Sequence, residues 1–246
     1  MQPGKQGSRI IAMWSGPRNL STAMMRSFGN RADCTAMDEP FYAACLKMTG
    51  MDHPMRDEII EAHENDPEKV IADCLAPRAT PIVYQKHMMH HMAGIRLDWV
   101  DQITNIFLIR HPTRVLASYA KKWAEVSVRD TGYKEQRALF DRLAGEGASP
   151  IVIDAHDIRA RPEAMLQALC ASIGIEFDPA MLSWAPGPRP EDGLWGQHWY
   201  DAIWKSNGFE PPEKDAPDEL PDRLKPVFDQ VVGDYEAMHR MRIRPD

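Results

Sequence analysis

Residues Arg9 to Phe28 read RIIAMWSGPRNLSTAMMRSF, and this stretch decides the fold. The apolar run Ile10–Trp14 predicts a buried strand, and the polar segment Ser15–Thr22 predicts a tight turn. A helical pattern then begins at Ala23 and includes Phe28. A strand, a tight turn and a helix in this order aim backbone N–H groups and the positive end of the helix at one point. The stretch therefore predicts a site for an anion.

The side chains of the turn support an anion site but not the usual ATP site. Arg18 adds a permanent positive charge, and Ser21 and Thr22 add hydroxyl donors. The nucleotide-hydrolase signature requires a Gly-Lys pair directly before the hydroxyl residue, and Asn19-Leu20 stands there instead. We therefore expect an anion-binding loop without the Lys and Mg²⁺ arrangement of ATP hydrolases.

Further apolar runs alternate with helix-like stretches along the chain. Strands are predicted at Cys34–Met37, Ile82–Gln85, Ile103–Ile109 and Ile151–Ile153. Helices are predicted at Ser21–Asn30, Arg56–Ala76, Pro112–Val126, Gly132–Gly145 and Pro162–Ile173. This alternation favours an α/β fold of three layers, with a central parallel sheet between helices. Ligands in such folds bind at the carboxyl ends of the strands, where the first turn lies.

The chain is expected to form one domain over residues 1–246. Its α/β core is predicted at about residues 8–175. From about residue 176 onward the sequence becomes rich in Pro and Trp, which predicts a covering segment packed over the sheet. A last helix is predicted from about Asp218 to Met241.

Composition excludes several classes of function. With 29 basic and 36 acidic residues, the formal net charge is −7, which argues against a nucleic-acid binder. The four cysteines show no metal or redox spacing and indicate reduced, mostly buried thiols. No signal-peptide pattern and no run of 18 apolar residues is present, so we expect a soluble cytoplasmic protein that does not cross a membrane.

A second anion-binding pattern lies in IFLIRHPTRVLASY, residues 106–119. A buried strand ends at Arg110, and Pro112 suits the first turn of the helix that follows. Ser118 lies on that helix and supplies a hydroxyl. A guanidinium and a hydroxyl at a second strand end, together with the first loop, fit a ligand with two separated anionic groups.

These two motifs resemble those of the P-loop-containing sulfotransferase family, which uses 3′-phosphoadenosine 5′-phosphosulfate (PAPS). That family holds the 5′-phosphosulfate with a basic-Ser-Gly-Thr-Thr loop. The matching residues here are Arg18, Asn19, Leu20, Ser21 and Thr22. The second family motif is an Arg, a Pro two residues later and a Ser-Tyr pair, matched by Arg110, Pro112, Ser118 and Tyr119.

The resemblance implies a P-loop NTPase-like topology, PAPS as co-substrate and no metal. It assigns Arg110 and Ser118 to the 3′-phosphate. It also implies transfer of a sulfuryl group to a hydroxyl or amine of a small-molecule acceptor. Leu20 stands where the family usually has Gly, and Leu rarely adopts a positive φ. We therefore expect a different backbone path there, or a differently placed anion.

Candidate catalytic residues follow the second and third predicted strands. Glu39 in MDEPFY matches a Glu-Pro pair of many carbohydrate sulfotransferases and is a candidate base; the alternative is that Asp38 and Glu39 are solvated turn charges. Lys86 could stabilise the leaving or transferred oxygen, and His87 is the other candidate base. We expect both Lys86 and His87 to face the site.

Other readings remain open. His87, His90 and His91 are spaced for one helical face, but no Cys or acidic partner is near, so a packed group is favoured over a metal site. A nucleotide- or phosphometabolite-binding module without catalysis is an alternative. LIRHPT resembles the histidine-phosphatase signature, with His111 as nucleophile, although Pro112 replaces its Gly. A kinase is disfavoured by the missing Gly-Lys pair.

Overall fold

A computed structural model describes residues 7–120, 125–212 and 220–245. Its strands are β1 (Arg9–Ser15), β2 (Cys34–Asp38), β3 (Ile82–Met88), β4 (Thr104–Ile109) and β5 (Ile151–Asp154). All neighbouring strands pair in parallel, in the order β2-β3-β1-β4-β5. Ser15 at the end of β1 lies level with Met88 of β3 and Leu108 of β4. The carboxyl ends of the three central strands therefore meet at one edge.

Twelve α-helices lie in the described residues. They are α1 (Ser21–Gly29), α2 (Tyr42–Thr49), α3 (Arg56–Ala62), α4 (Pro67–Leu75), α5 (Pro112–Tyr119), α6 (Val128–Thr131), α7 (Tyr133–Gly145), α8 (Ala155–Ala160), α9 (Pro162–Ile173), α10 (Gly196–Trp199), α11 (Asp201–Lys205) and α12 (Lys225–Arg240). Short 3₁₀ turns occupy Met89–Met92, Asp98–Gln102, Pro179–Leu182 and Asp222–Leu224.

The sheet is covered on both faces, as predicted. Alternate side chains of β1 point to opposite faces. Ile11 and Met13 join the core cluster formed with α1, α2, α8 and α9, whereas Ala12 and Trp14 join the cluster formed with α4, α5, α7 and α12. The three-layer α/β/α arrangement with a central parallel sheet is thus confirmed.

Three predicted helices differ from the structure. The stretch Arg56–Ala76 forms two helices rather than one, because Asp66 caps α4 through the Glu68 N–H and Pro67 takes its first turn. The last helix, α12, begins at Lys225 after a 3₁₀ turn, and residues 218 and 219 lie outside the described residues. Helix α5 ends at Tyr119, and residues 121–124 of the predicted helix also lie outside them.

The segment 176–212 packs against α1 and the loop after it. Arg26 of α1, only 1% exposed, pairs with Asp192 at 2.6 Å. Asn30 donates to the carbonyl oxygen of Ser183 at 2.8 Å, and Arg31 donates to that of Glu176 at 2.9 Å. This covering segment (residues 176–212) is therefore fixed to the helix that begins at the anion loop.

Two further expectations concern the cysteines and the membrane. All four cysteines are free thiols, and Cys34 alone among them is partly exposed. Among the described residues, no helix has both the length and the apolar character needed to span a bilayer.

Candidate active site

A cavity of about 290 Å³ opens at the carboxyl ends of β1, β3 and β4. It is lined by the first loop, the ends of β2 and β3, the residue that follows β4, the last turn of α5 and the covering segment. Three of its lining residues, Arg18, Leu20 and Glu39, have positive φ although none is Gly. Such strained backbone costs free energy and concentrates at functional sites.

Leu20 adopts the left-handed conformation, with φ 75° and ψ 7°. The expectation that Leu would avoid a positive φ is therefore wrong. The left-handed conformation costs a residue with a Cβ roughly 1–2 kcal/mol. The Leu20 side chain packs against the core cluster beside α1, which offsets part of this cost.

The first loop presents the N-terminus of α1 to the cavity. Leu20 is the N-cap residue, it makes no side-chain cap, and the first turn carries no acidic residue. Ser21, Thr22 and Ala23 of this first turn line the cavity. Because N–H groups of a first helical turn have no partner within the helix, this end favours an anion.

The loop is supported from behind by the end of α6 and the glycine that follows it. A Cβ at Gly16 would lie 2.1 Å from the carbonyl oxygen of Thr131, so only Gly fits there. Asn19 is buried beneath the loop, and its side-chain amide lies 3.3 Å from both the Gly16 nitrogen and the Pro17 carbonyl oxygen. These contacts hold the loop in one conformation.

The two sequence motifs meet in space. The Nε of Arg18 donates to the Oγ of Ser118 at 2.9 Å, across 100 residues of sequence. Arg110 donates to the carbonyl oxygen of Arg18 at 2.7 Å. The Tyr133 hydroxyl donates to the carbonyl oxygen of Arg110. Arg18, Arg110 and Ser118 all line the cavity and form its basic end.

A buried lysine–carboxylate cluster lies on the β2–β3 side of the cavity. The Nζ of Lys86, whose side chain is 2% exposed, lies 2.9 Å from Asp38 and 2.6 Å from Glu39. The alternative that Asp38 and Glu39 are solvated turn charges is therefore wrong. Burial alone would lower the pKa of Lys86, but the two carboxylates outweigh it and raise this pKa.

The two carboxylates have different surroundings. Asp38 accepts hydrogen bonds from Lys86, from the Tyr200 hydroxyl at 2.7 Å, from the Trp195 indole at 3.0 Å and from the Gly193 N–H at 3.3 Å. Glu39 accepts from Lys86 through Oε1, while Oε2 lies 3.8 Å from the Nδ1 of His91, too far for a hydrogen bond. Asp38 is thus held on all sides, and Glu39 keeps one oxygen available.

Glu39 has the features of a general base. Its side chain is 11% exposed and lines the cavity. Burial raises the pKa of Glu39 above its ordinary value, although Lys86 acts in the opposite direction. A carboxylate with a raised pKa is a better proton acceptor near neutral pH than an ordinary one.

His87 does not lie in the site, contrary to expectation. It stacks on Trp14 with ring centroids 4.4 Å apart and contacts Phe41 and Trp99, in the core cluster that contains Ala12 and Trp14. Burial lowers the pKa of His87 to about 3. The reason is that β3 extends to Met88, so Lys86 and His87, as neighbours on a strand, point to opposite faces.

Aromatic and imidazole side chains form one wall of the cavity near Glu39. Tyr42 stacks on His91 at 4.5 Å, its hydroxyl bonds to the Nδ1 of His53, and His53 lies 5.4 Å from the Trp199 ring. Burial lowers the pKa of His53 and that of His91, so both imidazoles are neutral at pH 7. We call these four residues the aromatic wall.

Two alternatives can be placed against this geometry. His111 does not line the cavity; it caps α5 and contacts Tyr235 edge to face at 5.1 Å, which disfavours a phosphatase nucleophile. Within the described residues no group of three or more His, Cys, Asp or Glu side chains is arranged to hold a metal ion. His87 lies on β3, whereas His90 and His91 lie in the 3₁₀ turn that follows it, so the three imidazoles do not share one helical face.

Sequence reasoning missed Tyr42, His53 and Tyr200 as lining residues. Tyr42 stands three residues after Glu39, and this closeness to a candidate base could have indicated that Tyr42 lines the same cavity. Tyr200 lies 114 residues from Lys86, and no local pattern connects the two.

The sequence and the fold are similar to those of described proteins. The model of one protein family, described as a sulfotransferase domain, matches residues 8–241. Two curated relatives from Arabidopsis thaliana are the branched-chain-amino-acid aminotransferase-like proteins 2 and 1, which are 39% and 37% identical over 207 residues. Each alignment covers 83% of this chain, and the chain spans only 37% of either relative's length.

Three solved structures share the fold. The sulfotransferase domain of the Synechococcus PCC 7002 olefin synthase superimposes with a TM-score of 0.63 at 17% identity, covering 96% of this chain and 98% of that one. The sulfotransferase domain of the curacin biosynthetic pathway gives 0.56 at 14% identity, covering 91% and 97%. A sulfotransferase from Alicyclobacillus acidocaldarius gives 0.51 at 13% identity, covering 96% and 97%.

Proposed function

The chain belongs to the sulfotransferase domain family, and on this premise we propose that it transfers a sulfuryl group from PAPS to a hydroxyl or amine of a small-molecule acceptor. One observation carries the proposal more than any other. Arg18, Arg110 and Ser118 come from two distant motifs, yet hydrogen bonds join them beside the N-terminus of α1, in the cavity that also holds Glu39.

The basic end of the cavity suits the two anionic groups of PAPS. The N–H groups at the start of α1, with Arg18, Ser21 and Thr22, would hold the 5′-phosphosulfate. Arg110 and Ser118 would hold the 3′-phosphate, since a guanidinium and a hydroxyl together bind a phosphate well. Leu20 adopts the left-handed conformation that the Gly of the family's loop can adopt, so its presence does not argue against this ligand.

The other end of the cavity suits an acceptor and its deprotonation. In the proposed step the acceptor oxygen or nitrogen attacks the sulfur, and the bond from sulfur to the 5′-phosphate oxygen breaks. The acceptor proton passes to Oε2 of Glu39, and the adenosine bisphosphate leaves with the electron pair. Lys86 orients Glu39 through Oε1 and places a positive charge near the reacting oxygens.

The aromatic wall supports an uncharged acceptor. Its imidazoles are neutral at pH 7, and the Tyr42 hydroxyl is already bonded to His53. The nearby cation, Lys86, is paired with two carboxylates. Apolar rings suit the apolar body of an acceptor, and aromatic contacts each add about 0.5–1.5 kcal/mol.

Calorimetric titration with 3′-phosphoadenosine 5′-phosphate (PAP) tests the donor site. Arg110→Ala should weaken PAP binding about 10- to 150-fold, because charge-assisted hydrogen bonds contribute about 1.5–3 kcal/mol. Arg137→Ala is the matched control; Arg137 pairs with Asp141 on α7 outside the cavity and should leave PAP affinity unchanged. Absence of PAP binding by the wild-type protein at millimolar concentration would refute the donor assignment.

A further inference from the structure

A hydroxyl from the covering segment lies inside the lysine–carboxylate cluster. Tyr200 stands between α10 and α11, and its side chain is 5% exposed. Its oxygen lies 2.5 Å from the Nζ of Lys86, 2.7 Å from Oδ2 of Asp38 and 3.2 Å from the Trp195 indole nitrogen. A residue far from both carboxylates in sequence therefore contacts the groups that hold the candidate base.

The hydrogen-bond directions give Lys86 and Tyr200 a complete set of partners. An ammonium has three protons, and Lys86 directs them to Asp38, Glu39 and the Tyr200 oxygen. The Tyr200 O–H then donates to Asp38. Because Asp38 receives the Tyr200 O–H as well as Lys86, it does not depend on the lysine alone. Lys86 can therefore bind both Asp38 and Glu39 at the same time.

We propose that Tyr200 is a positioning residue for the base: it keeps Lys86 shared between Asp38 and Glu39, so that Glu39 holds its place with Oε2 toward the acceptor. This inference rests on the proposed function for its catalytic meaning, but the geometry it describes does not. Docking of the covering segment then completes the catalytic apparatus as well as covering the cavity.

These contacts predict the direction in which loss of the Tyr200 hydroxyl should shift the pKa of Glu39. Asp38 would lose a donor and draw Lys86 toward itself, away from Glu39. Burial raises the pKa of Glu39, whereas the Lys86 charge and the Tyr200 hydroxyl both lower it. Removal of the Tyr200 hydroxyl should therefore raise the pKa of Glu39 further. One net hydrogen bond corresponds to about one pKa unit.

The test is a direct titration of Glu39 by NMR. Glutamate labelled with ¹³C at the side-chain carboxyl is incorporated, and the Glu39 signal is assigned with Glu39→Gln. Tyr200→Phe should raise the pKa of Glu39 by about one unit. Tyr235→Phe is the matched control: Tyr235 is 6% exposed and its hydroxyl bonds to a different buried carboxylate, Asp154, at 2.9 Å, so it should not move the Glu39 signal.

The outcomes separate this inference from the proposed function. An unchanged Glu39 pKa in Tyr200→Phe, or an equal shift in Tyr235→Phe, would overturn the positioning role even if PAP binds. Failure of the wild-type protein to bind PAP would instead refute the donor site, whatever Glu39 does. Should Tyr200→Phe not fold by circular dichroism, Trp195→Phe takes its place; it removes the 3.0 Å bond to Asp38 and should shift the pKa in the same direction.

A second readout applies once transfer is measured. The ascending limb of kcat/KM against pH reports the base in the free enzyme. In Tyr200→Phe this limb should move to higher pH by the same amount as the NMR titration. A merely structural role would lower kcat/KM by one factor at every pH and leave the limb where it is.

Discussion

Replacement of Lys86 by Met removes the cation from the buried cluster while keeping a side chain of similar length. The Lys86 side chain is 2% exposed and lies within 3 Å of both Asp38 and Glu39, at 2.9 and 2.6 Å. Lys86→Met leaves two buried carboxylates without their cation. Breaking a buried ion pair from one side costs about 3–5 kcal/mol. For a chain of this size each kcal/mol lowers Tm by about 2–4 °C, so a fall of about 6–20 °C is expected.

The pH dependence of this loss has a definite sign. Burial already raises the folded-state pKa of Glu39, and removing Lys86 removes the main opposing influence. An acid whose pKa is raised on folding binds protons more tightly in the folded state, so it favours folding at low pH and opposes it as pH rises through that pKa. The difference in stability between Lys86→Met and wild type should therefore be largest at pH 7 and shrink toward pH 5.

Thermal and urea unfolding followed by circular dichroism measures both quantities. Lys225→Met is the control, because the Lys225–Asp222 pair has the same 2.6 Å distance as Lys86–Glu39 but its lysine side chain is 54% exposed. An exposed pair contributes about 0–1 kcal/mol. If Lys86→Met destabilises the protein no more than Lys225→Met, the buried cluster is not organised as described.

Three further predictions concern other parts of the molecule. Because burial lowers the pKa of His87 to about 3, the neutral His87 stabilises the fold above pH 6.5, and this contribution is lost as pH falls toward 3. The wild-type protein should therefore lose about 2 kcal/mol more unfolding free energy between pH 7 and pH 5 than His87→Gln does. If urea unfolding shows the same pH dependence of the unfolding free energy for both proteins, this prediction is contradicted. Trp199→Ala should raise the acceptor KM about tenfold without changing the Kd for PAP, and a parallel change in both would remove Trp199 from the acceptor side. Gly16→Ala places a methyl group 2.1 Å from the Thr131 carbonyl and should cost about 1–3 kcal/mol in thermal unfolding; an unchanged Tm would show that the loop is not held against that segment.

Much of the fold was predictable from local patterns. Five short apolar runs became the five strands, because buried parallel strands consist of continuous apolar residues. Arg18 lies in the loop after β1 and Arg110 directly follows β4, and residues that follow neighbouring parallel strands lie at the same edge of the sheet. The apolar pattern of Arg56–Ala76 predicts a single helix, but the cap formed by Asp66 and the proline at position 67 begin a second helix within that stretch.

The details of the site depend on contacts that a single sequence does not display. The strand β3 runs to Met88, and only this length decides that Lys86 faces the cavity while His87 faces the core. The positive φ of Leu20 depends on its packing against the core beside α1, which overrides the preference of an isolated Leu. Tyr200 reaches Lys86 only because the covering segment folds back over the sheet.

Sulfuryl transfer itself is tested most directly by product analysis. The protein is incubated with PAPS and a panel containing 4-methylphenol, benzyl alcohol and aniline, and both sulfated product and released PAP are quantified by mass spectrometry. We expect a sulfated product and PAP in equal amounts, with both lost in Glu39→Gln while PAP binding is retained. Tight PAP binding with no sulfated product from any acceptor would contradict transfer and favour a binding module of the same fold.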